Sequence, residues 1–173
     1  TGAASKIGIA GSGGAGGYCE KLYMAADLSA TETVTVGSPG TGGASGGNAG
    51  TAGGNSTFKG MTAYGGALGS AGAHNLDARA KLGGDGGTAT GGDINISGEA
   101  ALVGYRDSGT VGYSGRGGRS VLGKPAAQVD AQAPGDSGTG YGQGARGAFT
   151  TYTADAGANG GSGITIITEY KSV

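Results

Sequence analysis

Six stretches of this chain alternate or cluster apolar residues at strand spacing. They are Ser5 to Ala10 (SKIGIA), Tyr18 to Leu28 (YCEKLYMAADL), Glu32 to Val36 (ETVTV), Thr57 to Tyr64 (TFKGMTAY), Asp93 to Ser97 (DINIS) and Gly163 to Tyr170 (GITIITEY). Each predicts a strand. The second and third are expected to pair across a turn near Ser29-Ala30-Thr31. The first and last, similar in pattern, are expected to close the two ends of the chain into one small sheet. Only Leu76 to Leu82 (LDARAKL) is spaced like a helix, with room for one or two turns. Gln128 to Pro134 (QVDAQAP) reads as an exposed loop.

Between these stretches glycine recurs at every third position. Gly8, Gly11, Gly14 and Gly17 form one run, and Gly37, Gly40, Gly43 and Gly46 another. After a phase shift come Gly47, Gly50 and Gly53, then Gly66, Gly69 and Gly72. Gly109, Gly112, Gly115 and Gly118 precede a last run at Gly157, Gly160 and Gly163. A period of three belongs to the polyproline-II helix, which has no internal hydrogen bonds. Its buried N–H and C=O groups must therefore pair with neighbouring segments. Glycine at every third position bares one edge for such an approach. Doubled glycines, as in Gly13-Gly14, Gly16-Gly17, Gly42-Gly43, Gly46-Gly47 and Gly53-Gly54, bare two edges and suit a helix inside a bundle.

Composition sharpens this picture. Glycine supplies 45 of 173 residues and proline only 3, so collagen, with its long proline-rich tracts, does not fit. Leu, Ile, Val and Phe together number 23, too few for an ordinary core, yet a net charge of −1 gives no repulsion to hold the chain open. The expected fold is mostly irregular and β with almost no α-helix. It is a single domain over 1–173, a bundle of short polyglycine-II-type helices with a few strands. The chain starts at Thr1 without Met and is read as a fragment or a processed C-terminal piece. Cys19 stands alone, so no internal disulfide forms. No apolar run approaches the ~20 residues of a membrane span, and no basic stripe invites nucleic acid.

Catalytic and metal motifs are weak. Glycine-based fingerprints match by accident in such a chain, and none stands between a strand and an amphipathic helix. Gly118 to Lys124 nearly matches a phosphate loop, but Pro125 stands where Ser or Thr should ligate magnesium. Gly43 to Gly47 continues a glycine run rather than a nucleophile elbow. Gly135-Asp136-Ser137-Gly138 echoes a protease nucleophile peptide, with His74 the only histidine to serve it. Asp85 and Asp93 suit turns better than calcium. Asn55-Ser56-Thr57 and Asn95-Ile96-Ser97 match glycosylation sequons with nothing to imply a secretory route. No catalysis, cofactor or metal is expected. The remaining signal is a set of aromatic and arginine residues where glycine thins: Tyr105, Arg106, Tyr113, Arg116, Arg119, Tyr141, Arg146, Phe149 and Tyr152. Such residues combine contact area with hydrogen bonding or charge, and together they form the candidate binding face.

The ordered series of pieces resembles the glycine-rich C-terminal receptor-binding domain of bacteriophage tail fibres. Its marks here are Gly16-Gly17-Tyr18-Cys19-Glu20-Lys21, Thr33-Val34-Thr35-Val36-Gly37, Ser56-Thr57-Phe58 and Thr62-Ala63-Tyr64-Gly65-Gly66. Gly91-Gly92-Asp93-Ile94-Asn95-Ile96 and the closing Ile164-Thr165-Ile166-Ile167-Thr168-Glu169-Tyr170 complete it. From Glu99 to Asp155 the chain departs, with Tyr, Arg, Gln and Asp where the family is richer in glycine. The resemblance implies a non-enzymatic adhesin at the distal end of a virion tail fibre, assembled as a homotrimer. Its partner would be a bacterial outer-membrane protein, pilus or surface glycan, with no nucleic acid and no membrane insertion. Two rival readings are an ice-binding glycine-helix protein and a purely structural fibre cap.

Overall fold

The computed structural model describes residues 8–72, 80–107, 111–130, 132–150 and 155–170. Among them there is no α-helix, only a 3-10 turn at Ala25–Asp27. The strands are β1 (Gly8–Ile9), β2 (Tyr18–Glu20), β3 (Val34–Thr35), β4 (Ser56–Phe58), β5 (Met61–Ala63), β6 (Ala80–Lys81) and β7 (Ala89–Thr90). Then follow β8 (Ile94–Ile96), β9 (Gly104–Arg106), β10 (Gly112–Tyr113), β11 (Gly123–Lys124), β12 (Thr139–Gly140) and β13 (Phe149–Thr150). All pairings between them are antiparallel.

The larger part of the structure lies between the strands, in glycine-bearing segments that carry neither assignment. Segment 10–17 is the hub. Gly11, Gly14 and Gly17 donate to the carbonyls of Ser70, Ala67 and Tyr64, at 2.8, 2.9 and 2.9 Å. Ala10, Gly13 and Gly16 donate in another direction, to Ala148, Ala145 and Gly142, at 3.1, 2.9 and 2.7 Å. On further sides the Ser12 and Ala15 carbonyls accept from Gly84 and Gly87, and the Gly13 carbonyl accepts from Gly118. The doubled glycines of this segment thus sit where several neighbours meet. Outside the hub the step of three repeats. Tyr64, Ala67 and Ser70 donate to Thr88, Asp85 and Leu82, and Gly157, Gly160 and Gly163 donate to Gly43, Gly40 and Gly37. Backbone polar groups that no helix satisfies are satisfied between segments instead.

Each strand ladder prolongs a contact already made in this lattice. β1 pairs with β13 because 142–148 runs antiparallel beside 10–17. β2 pairs with β8 because Ala15 of the hub donates to Glu99, just past β8. β3 and β4 extend segments 37–43 and 50–54, which Gly54 joins to Ser38. β5 with β7, β6 with β9, and β9 with β10 prolong the remaining neighbours in the same way. This corrects two pairings expected from pattern. The stretches at 18–28 and 32–36 do not form a hairpin, and Gly8–Ile9 pairs with Phe149–Thr150 rather than with 163–170. Residues 163–170 carry no strand. Neighbourhood in the lattice, not similarity of sequence, selects the partner.

Other expectations fare variously. Ile94–Ile96 is a strand, whereas the single strand expected over 57–64 is broken into a hairpin, β4–β5, turning at Lys59 (φ 37°) and Gly60 (φ 76°). Residues 76–79 of the helix-like stretch lie outside the described residues, while Ala80–Lys81, within its described end, is strand. The loop at 128–134 exposes several side chains, yet its backbone is pinned. Ala133 and Phe149 exchange N–H···O bonds of 2.8 and 3.0 Å, and Val129 is bonded both ways to Ser114.

Apolar packing is sparse. The buried hydrophobic cluster is Ile9 with Phe149. A second contact sets Tyr23 edge-on to Phe58, ring centres 5.9 Å apart, with the Tyr23 hydroxyl donating to the Lys59 carbonyl at 2.6 Å. Lys59 also bonds Glu32 at 2.7 Å. That bond, helped by the Ser29 N–H, holds the Glu32 carboxyl below its ordinary range.

Candidate functional site

The structure divides the nine predicted site residues into groups. Tyr105 on β9 and Tyr113 on β10 stand opposite each other across one ladder, 41% and 40% exposed. They occupy the end of the lattice at which the hub segment begins. Arg106 alternates to the other face of β9 and is buried opposite Gly112. Period-two alternation in a strand explains the split.

Arg146 and Phe149 are also inside. Phe149 is 1% exposed and fills the small apolar core beside Ile9, so it lies away from the surface of this chain. The Arg146 guanidinium donates to the Pro134 carbonyl at 2.7 Å and the Ala127 carbonyl at 3.4 Å. It clasps the 127–134 loop against segment 142–148. Charge-assisted bonds to carbonyls offset part of the desolvation of a buried cation. The missed signal is Ala145-Arg146-Gly147-Ala148, small residues at every neighbouring position, which let the backbone pack closely around both side chains. Tyr152 lies outside the described residues, as does His74.

Arg116 and Arg119 face outward on segment 115–119. Glu99 lies between them: one carboxylate oxygen accepts from the Arg116 guanidinium, the other from the Arg119 backbone N–H at 3.1 Å. Lys124 on β11 joins the two arginines around a cleft of about 460 Å³. Sequence reading met Lys124 only as the end of a rejected phosphate loop; its signal was three cations within nine residues, Arg116, Arg119 and Lys124. Tyr141, 46% exposed, lies at the opposite lattice end from Tyr105 and Tyr113, where its N–H donates to Leu122. The predicted face is therefore two neighbourhoods and one outlier.

Among the described residues no three His, Cys, Asp or Glu side chains gather to hold a metal, and no helix is long and apolar enough to cross a membrane. Burial pushes the Cys19 thiol up, which leaves little thiolate at neutral pH. No protein-family model matches the chain, and no curated protein matches it.

Proposed function

We propose that this chain is the receptor-binding tip of a bacteriophage tail fibre, a non-enzymatic adhesin of the virion that attaches it to the bacterial surface. In this reading the glycine segments are polyglycine-II helices in a bundle. The hub donates at 11, 14 and 17 in one direction and at 10, 13 and 16 in another, as a helix of three residues per turn would. The observation that carries the function is what this scaffold displays. Tyr105 and Tyr113 stand side by side at one end, and Arg116 and Arg119 follow along segment 115–119, on a backbone held by hydrogen bonds from several sides. A rigid base lowers the entropy lost on binding, and many fibres acting together gain avidity.

The test is adsorption of fluorescent protein to a panel of bacteria. A Tyr105→Ala/Tyr113→Ala/Arg116→Ala variant is expected to lose at least tenfold in cell binding while keeping its melting temperature. Undiminished adsorption would remove this face from the proposal.

Self-association belongs to the same reading. Large apolar side chains lie on the surface. Leu22, Met24, Leu28, Ile166, Ile167 and Tyr170 are exposed around one cavity of about 1070 Å³. A homotrimer covers such residues. Light scattering should give three times the chain mass of 16.1 kDa; a monomer at micromolar concentration would defeat this part.

A further inference from the structure

The cleft beside segment 115–119 has a charge that the fold does not use. Its walls are Arg116, Arg119, Gly123, Lys124, Pro125 and Ala127. Three cations border it, and the carboxylate of Glu99 already has hydrogen-bond partners. Its two oxygens are taken by the Arg116 guanidinium and by the backbone N–H of Arg119. The Arg119 guanidinium and the Lys124 ammonium have no carboxylate partner among the described residues. A surplus of about two positive charges therefore borders a concave site on a chain whose net charge is −1. Solvated lysines and arginines scattered on a convex surface would cost nothing to leave so; three that border one cleft favour an anion bound among them.

The rest of the cleft is shaped for something other than a bare ion. At about 460 Å³ it falls in the range of small-ligand sites, roughly 300–1,000 Å³. Pro125 and Ala127 offer apolar surface beside the cations. Gly123 leaves one side without a side chain. Arginine presents a planar fork that fits phosphate or carboxylate oxygens two at a time. No aromatic ring lines the cleft, which removes the stacking platform that single-stranded nucleic acid uses.

We propose that the cleft of Arg116, Arg119 and Lys124 binds the anionic group, phosphate or carboxylate, of a bacterial surface polysaccharide. This rests on the receptor-binding reading and gives it a ligand class. Lys124 and Arg119 supply the charge, Arg116 braced by Glu99 supplies an oriented fork, and Pro125 and Ala127 take the apolar face of a sugar ring.

The experiment uses the whole chain on immobilised phosphomannan, alginate, neutral dextran and a single-stranded oligonucleotide. Retention is expected on phosphomannan, on alginate, or on both, and not on dextran. Phosphomannan alone identifies phosphate, and alginate alone identifies carboxylate. Retention should fall at least tenfold between 50 and 500 mM salt, and at least tenfold in Arg119→Ala/Lys124→Ala. A control variant, Lys21→Ala/Lys81→Ala, removes the same charge elsewhere and should be retained like the parent. Equal loss in both variants would mean unspecific charge attraction and overturn the site, as would retention on the oligonucleotide alone or on none of the columns. Circular dichroism of each variant guards against unfolding. Cell adsorption separates the two proposals. Binding to cells that the cleft variant retains in full refutes the cleft and spares the attachment function. Cleft-dependent retention on polysaccharide by a protein that binds no cell in the panel does the reverse.

Discussion

Gly14→Ala is expected to destabilise the chain by about 3 kcal/mol, while Gly13→Ala leaves it unchanged or slightly more stable. The two positions are adjacent, both in the hub, and neither has a left-handed backbone that a side chain would strain. What differs is the direction each Cβ would take. At Gly14 it would overlap the Asp85 carbonyl and come within 2.8 Å of the Gly84 oxygen. The obstacle is backbone, which cannot rotate aside as a side chain can. The Asp85 carbonyl also accepts the Ala67 N–H at 2.9 Å, and Gly14 donates to the Ala67 carbonyl at the same distance. Any shift that admits the methyl group pulls apart the contacts among three segments. At Gly13 the nearest atoms to a new Cβ are Ala145 N at 3.6 Å and Ala67 O at 3.8 Å, ordinary contact distances. There alanine reduces the freedom of the unfolded chain and adds roughly 0.4–1 kcal/mol at most. Urea unfolding of the two variants beside the parent decides the matter. Equal stability of both would mean that 10–17 is not the hub.

Ser12→Ala should cost about 2–4 kcal/mol, because two buried backbone groups lose their partner at once. Ser12 is fully buried in the hub, and its hydroxyl does two things. It donates to the Gly115 carbonyl at 2.6 Å and accepts the Gly147 N–H at 2.9 Å. One oxygen therefore ties three segments, 10–17, 115–119 and 142–148. Alanine keeps the volume of the site close to unchanged and removes only those two bonds. A measured loss below about 0.5 kcal/mol would show that water or a backbone shift satisfies both groups. The surrounding glycines leave little room for either, since a Cβ at Gly147 or Gly115 would already overlap neighbouring backbone.

How much of this was legible beforehand depends on what each residue type encodes. The strand at Ile94–Ile96 was readable because its alternation is a local pattern, whereas 57–64, read as one strand, folds back as the β4–β5 hairpin because Lys59 and Gly60 take the left-handed backbone of a tight turn. The central place of 10–17 was readable in kind, since doubled glycines bare more than one edge. The recognition face was read less well. Phe149, Arg146 and Arg106 look like surface anchors by residue type, but each falls where a packed segment or an inward strand face buries it. Lys124 escaped notice because its cleft is made by the fold bringing β11 beside segment 115–119.

The amino-acid sequence by itself determined where the chain can approach another backbone and where it must turn. Glycine spacing and apolar alternation act over a few residues, so they are written locally. Only the tertiary structure decided which segment lies beside which, and hence the strand pairings. The physical reason is that a glycine edge presents only N–H, C=O and Cα–H, the same groups in every run. Such edges are chemically alike, so no pair of them is marked as partners. The choice falls to the whole set of contacts that satisfies all the backbone groups together.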